Sequence, residues 1–251
     1  MAERSASGSP GGSGAAAIGF HPLYRQVRER LLRRLATGAW PAGGMLPSEP
    51  ALAAELGVSQ GTVRKALDAL TAENLLVRRQ GRGTFVARHD ERRILFQFFR
   101  LVADRGERQF PESEVLVVVR AAANRRERAR LMLSAPARVV RIRRLRTLGG
   151  RACIAESISL PEALFPGLWQ RKLPNNLYGL YAEEYGISIA RASERLKAVM
   201  LPRGDAARLG AAPGTPALEI DRLAIAIDGR RVEWRLSRCL TAHLHYASEL
   251  L

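Results

Sequence analysis

Two groups of residues could do recognition chemistry. The first is Ser59, Gln60, Thr62 and Arg64, crowded into six positions. Hydroxyls, a carboxamide and a guanidinium at this density suit hydrogen bonding to phosphates and to base edges. The second is Arg144 and Arg146, two residues apart. On a strand they share a face, and paired guanidiniums suit a bidentate phosphate or carboxylate. The plainer reading is a solvated strand face neutralised by Glu156 or Glu233, and the pattern alone weighs the two about evenly. Catalytic constellations are lacking: no Ser-His-Asp set or working carboxylate pair can be assembled. His243 and His245 stand at i, i+2 without a third ligand at metal spacing. No catalytic residue, metal or cofactor is expected.

The first group needs a helix with an apolar back. Val63, Ala66, Leu67 and Leu70 recur at i, i+3, i+4 and i+7. Ser59 stands ahead of them as an N-cap type, and Gln60, Arg64, Lys65 and Asp68 fall off the apolar face. A shorter helix precedes it. Ser48 is its cap candidate, Glu49 supplies first-turn negative charge, and Pro50 sits where no donor is needed. After Asn74, Leu75–Arg79 and Thr84–Val86 read as two strands around the tip Gln80-Gly81-Arg82-Gly83. Helix, turn, helix and basic hairpin make a winged helix, whose second helix enters a major groove.

These residues resemble the DNA-binding domain of GntR-family bacterial transcription regulators. The resemblance rests on Pro22-Leu23-Tyr24, Leu46-Pro47-Ser48-Glu49, the run Val58–Leu67 and Gly81-Arg82-Gly83-Thr84-Phe85-Val86. It implies DNA contacts from Ser48, Ser59, Gln60, Thr62, Arg64, Gln80, Gly81 and Arg82. The family usually carries Arg where Gln60 stands, which predicts a different operator base there.

The rest of the chain mixes elements. A β-branched run covers Val115–Val119, a helix Asn124–Leu133, and a period-two strand Val139–Arg146 that turns at Gly149-Gly150 into Cys153–Leu160. A short helix at Leu177–Glu184, a strand at Glu194–Met200, a helix at Asp205–Leu209 and a hairpin through Asp228-Gly229 follow. The reading is α+β around an antiparallel sheet. This half resembles the UTRA effector-binding domain of the HutC-type branch, a fold shared with chorismate lyase. Arg144-Leu145-Arg146, Ala155-Glu156, Leu160-Pro161, Asn176-Leu177-Tyr178, Gly214–Leu218 and Val232-Glu233 carry the likeness. It implies effector contacts from Arg144, Arg146, Glu156, Asn176, Tyr178 and Glu233, although Ser is commoner at position 176 and Tyr at position 239.

The expected domains are a disordered tail over 1–19, a winged helix over 20–87, a linker over 88–94 and an effector domain over 95–251. Net charge is +16, with 40 Lys plus Arg, of which only Lys65, Lys172 and Lys197 are lysines. There are 12 basic against 7 acidic residues before Glu91 and 28 against 17 after it, so the excess is not concentrated in the DNA reader. Cys153 and Cys239 read as buried thiols. Nothing resembles a secretory leader or a transmembrane stretch, so a cytoplasmic protein with no membrane partner is expected. The expected partners are a double-stranded DNA operator, a small anionic metabolite and a second copy of the chain, since one winged helix reads only a half-site. The function that fits is a ligand-responsive repressor. The rivals are lyase-like chemistry in the second domain and an architectural DNA-binding protein without a ligand.

Overall fold

A computed structural model describes residues 22–87, 99–105 and 110–248. The expected tail and the whole of the expected linker lie outside these residues. The N-terminal domain has three helices, α1 (Leu23–Ala36), α2 (Glu49–Leu56) and α3 (Gln60–Ala72), and a hairpin of β1 (Leu76–Arg79) and β2 (Gly83–Val86). Both expected caps are formed. Ser48 Oγ accepts from the Ala51 amide at 3.3 Å, and Ser59 Oγ from Thr62 at 3.2 Å. Gly57, at φ +66°, closes α2 and lets the chain turn directly into α3. Asn74 takes the left-handed conformation at φ +59°, just beyond the Glu73 that caps α3.

The four apolar residues of α3 are buried, packed on Val27, Leu31 and Leu35 of α1 and on Leu52 of α2. One small core therefore fixes how α3 projects. In the wing Arg79 pairs with Gly83, leaving Gln80, Gly81 and Arg82 as the tip. The Leu46 amide donates to Thr84 O at 2.9 Å, which ties the start of α2 to the wing.

The second domain is built on a six-stranded antiparallel sheet. Its strands are β4 (Glu112–Ala122), β5 (Arg138–Leu148), β6 (Arg151–Pro161), β7 (Ile189–Met200), β8 (Pro216–Ala226) and β9 (Arg231–Leu240), in the order β4-β5-β6-β9-β8-β7. A separate ladder joins β3 (Leu101–Ala103) to β10 (Leu244–Tyr246). Three helices complete the domain: α4 (Arg125–Leu131), α5 (Leu177–Tyr185) and α6 (Arg203–Leu209). The α+β reading therefore holds. Asn124 and Glu127 cap α4 reciprocally, each side chain bonding the other's amide.

One face of the sheet carries Val140, Ile142, Ile158 and Leu160 under Tyr178 and Tyr181 of α5. The other carries Val139, Leu223 and Trp234 beside Leu131 of α4. Two features of the sheet matter for the site. The valine run in β4 lies on an edge strand, where Val117 and Val119 are exposed and a bulge falls between Val115 and Val117. Strand β5 buries one face along its length, while Arg143 on the other is exposed. Its arginine side is not solvated: Arg144 and Arg146 continue the row of Val140 and Ile142 into the interior.

Candidate functional site

The prospective DNA surface is assembled from three elements. Helix α3 presents Gln60 and Arg64 in the open, while Thr62 is half-buried with its hydroxyl 2.9 Å from that of Ser59. Ser48, Gln60, Gln80, Gly81 and Arg82 line one groove between α2, α3 and the wing. Ser59, Thr62 and Arg64 follow on the same first two turns of α3. Glu49 sits among them. Its Oε2 accepts from Arg64 Nε at 2.9 Å and Gln60 Nε2 at 3.4 Å, and its Oε1 from Arg78 Nη2 at 3.1 Å. The hydrogen bond from Arg64 outweighs partial burial and holds the Glu49 carboxyl below its usual range. The sequence pattern assigns Glu49 first-turn negative charge at the start of α2. Its reach across to β1 depends on the tertiary fold.

The second site lies where α5 begins against the sheet. Arg144, Arg146, Asn176 and Tyr178 meet there, as expected, joined by Arg222 of β8 and Arg235 of β9. The rings of Phe99 and Phe110 stand 5.0 and 5.4 Å from the Arg146 guanidinium. The space left is about 20 Å³, room for a water and little more.

Beneath the arginines lie two carboxylates. Glu156 is 2.5 Å from Arg144, 3.6 Å from Arg235 and 3.9 Å from Arg146, and accepts from Ser237 Oγ. Burial would raise its pKa, but Arg144, Arg235 and Arg146 outweigh that and hold it far below the carboxylate range. Glu233 is wholly enclosed and accepts from Tyr178, Tyr181 and both Nε and Nη2 of Arg235. Burial opposes the Arg235 charge, yet Glu233 and Glu156 keep its pKa well above normal. Burial, with Glu233 adding, pushes Tyr178 up to about 12. In this arrangement Glu156 and Glu233 hold the arginines from behind. Asn176 is the N-cap of α5, its Oδ1 accepting from the Gly179 amide at 2.9 Å.

Arg146 is the exception in this cluster. It is 4% exposed and its Nε has no partner. Its Nη2 donates to Pro111 O at 3.3 Å, and its Nη1 lies 3.9 Å from Glu156. Burial pushes its pKa down to about 9, Glu156 opposing and Arg144, Arg235 and Arg222 adding to the fall. Its one carboxylate neighbour, Glu156, is shared with Arg144 and Arg235.

Arg222, Arg235, Phe99 and Phe110 escaped the sequence reading. Alternation from Glu233 could have found Arg235, two residues on along the same strand face. Arg222 becomes visible only through the register that sets it opposite Arg235. Cys153 and Cys239 are both buried and unlinked, and burial pushes the Cys153 thiol up to about 11. His245 pairs with Asp104 at 2.8 Å, and no group of three metal-ligating side chains forms among the described residues. No helix among them is long and apolar enough to cross a membrane.

A winged helix joined to a sheet domain with a buried, arginine-lined cavity defines a class: a DNA-binding transcription regulator that responds to a ligand. Comparison with known proteins agrees. Residues 23–86 match the bacterial regulatory proteins of the gntR family, and residues 106–245 match the UTRA domain. The chain belongs to the GntR family of transcription regulators, in the branch that carries a UTRA domain. It is 30% identical to the mannosyl-D-glycerate transport/metabolism system repressor MngR of Escherichia coli (strain K12), over 86% of this chain and 91% of that protein. The ligand-binding domain of a GntR-family regulator from Bordetella bronchiseptica aligns with a TM-score of 0.58 and 34% identity, over 62% of this chain and 98% of that one. PhnF from Mycobacterium smegmatis shares the fold at a TM-score of 0.53 and 24% identity, over 90% of this chain and 99% of that one.

Proposed function

We propose that this protein is a homodimeric repressor whose hold on its operator is set by a small anionic metabolite bound between Arg144, Arg146, Arg222 and Arg235. The observation that carries the reading is Arg146, a buried guanidinium with an unpartnered Nε and a pKa pushed down to about 9. An ion left this way costs several kcal/mol, and a bound anion is what would recover it. A protein without a ligand could fill the space with side chains, as Phe99 and Phe110 partly do, but it gains nothing from keeping the cation there.

The same rings suggest how occupancy reaches the DNA. Any ligand larger than water has to move Phe99 or Phe110 off Arg146. Phe99 precedes every strand of the second domain, on the side of the chain that leads to the winged helix. Effector binding therefore favours a conformation in which Phe99 or Phe110 has left Arg146, and the ligand's unequal affinity for the two conformations is what shifts the operator equilibrium. Coupling of this kind is worth about 1–3 kcal/mol. The two winged helices of a dimer would read a two-fold operator, with α3 of each in a major groove.

The test is a thermal-shift screen of anionic metabolites on the purified protein and on Arg146→Met, followed by operator titration with each hit. A hit that stabilises only the wild type and weakens its operator binding supports the reading. A hit that stabilises both equally places the ligand elsewhere.

A further inference from the structure

Glu49 is the least expected member of the DNA surface. A carboxylate facing DNA repels phosphate, yet this one is held in place by three donors from two other elements. Gln60 and Arg64 come from α3 and Arg78 from β1. Two nitrogens of Arg64, Nε and Nη2, lie 2.9 Å from the same Glu49 oxygen. Arg78 is further drawn by Asp68, at 2.9 Å. The Glu49 side chain is only 19% exposed, against 56% for Arg64 and 39% for Arg78. The carboxylate thus sits below the surface and the arginines lie over it.

We propose that Glu49 is a specificity-determining residue that keeps Arg64 and Arg78 from acting as phosphate clamps on arbitrary DNA. The inference rests on the reading that Gln60 and Arg64 face the major groove. Sequence-independent binding comes almost wholly from arginines and lysines that neutralise phosphates and release counterions. A phosphate must compete with Glu49 for either arginine. A base edge is affected less, because it is read by hydrogen-bond geometry rather than by net charge, and Gln60 keeps its carbonyl oxygen while the Glu49 contacts persist. The clamp also fixes side chains before DNA arrives, so less conformational freedom is lost on binding the right sequence. Because Arg78 lies in the hairpin, the carboxylate also locks the wing to the recognition helix.

The experiment uses the full chain and two duplexes: an operator selected from random DNA by the wild type, and a scrambled version of it. In Glu49→Gln, affinity for the scrambled duplex should rise about three- to tenfold. Its salt dependence should steepen by roughly one unit of slope per arginine released onto a phosphate. The ratio of operator to scrambled affinity should fall about tenfold or more. An unchanged ratio and slope, or an equal loss on both duplexes, overturns the proposal, since a purely structural role would weaken both alike. Should Glu49→Gln fold poorly, Arg78→Met decides: loss of operator affinity with scrambled affinity unchanged supports the filter, and equal losses overturn it. Arg64→Ala is measured alongside. If it leaves operator affinity intact, the reading of the surface itself is wrong; if it weakens the operator while Glu49→Gln changes no ratio, only the filter fails.

Discussion

Replacing Arg146 by Met should make the ligand-free protein more stable. The side chain is 4% exposed, its Nε is unpartnered, and Glu156 lies 3.9 Å away while also serving Arg144 and Arg235. Methionine keeps an unbranched apolar stem and removes the charge. What is lost is the stacking on Phe99 and Phe110, about 0.5–2 kcal/mol for a guanidinium on an aromatic ring. What is recovered is the penalty of burying a poorly paired cation, several kcal/mol. The balance favours Met by about 1–3 kcal/mol at pH 7, read as a rise in denaturant midpoint at constant m.

The same burial has a pH signature. Arg146 has a folded pKa of about 9, below its value in the unfolded chain, so the unfolded state binds more protons between the two. Stability then rises with pH across that window. The penalty is fully present below about pH 9 and is relieved as pH rises towards the unfolded value. With one pKa unit worth about 1.4 kcal/mol, the advantage of the Met variant should shrink by roughly 1 kcal/mol between pH 8 and 10. A variant less stable than the wild type at pH 7, with a difference that ignores pH, refutes the idea that Arg146 waits for an anion.

Three further outcomes follow from the same geometry. Arg144→Ala breaks a buried 2.5 Å ion pair and leaves Glu156 only its longer contacts with Arg235 and Arg146, at 3.6 and 3.9 Å, so it should cost about 3–5 kcal/mol in denaturant unfolding; a loss under 1 kcal/mol would mean the pair is not sealed from water. Gln60→Arg restores the fork that suits guanine, and selection from random DNA should then return a base different from the wild-type choice at one position in each half-site; identical selected sequences would take Gln60 out of base reading. Glu156 and Glu127 both have folded pKa values below normal, in each case because arginine contacts outweigh burial. Their stabilisation is present above the unfolded carboxylate pKa and is lost as pH falls below about 4.5. Glu127→Gln should flatten part of that acid limb, which a thermal melt at pH 3 to 6 would detect.

What the sequence determined by itself was everything governed by near neighbours. Caps at Ser48 and Ser59, the apolar stripe of α3, the glycine tip of the wing and the hairpin at Asp228-Gly229 depend on spacings of a few residues, and all are formed as read. The choice of Arg144 and Arg146 was also legible, because period two places them on one face whatever the sheet does. Which way that face points was not. Val139 and Val140 are adjacent and both buried, so alternation cannot say which side of β5 meets the interior. That was settled when α5 covered the arginine side. The partners of the cluster were equally beyond local pattern: Arg222 and Arg235 meet Arg144 only through the strand order β5-β6-β9-β8. Glu49 makes the same point in the first domain. Its place at the start of α2 could be read from Pro47-Ser48-Glu49-Pro50, but its contact with Arg78, 29 residues on, exists because one buried core brings α2, α3 and the wing together. Local periodicity decides which face a side chain takes, and only packing decides what that face meets.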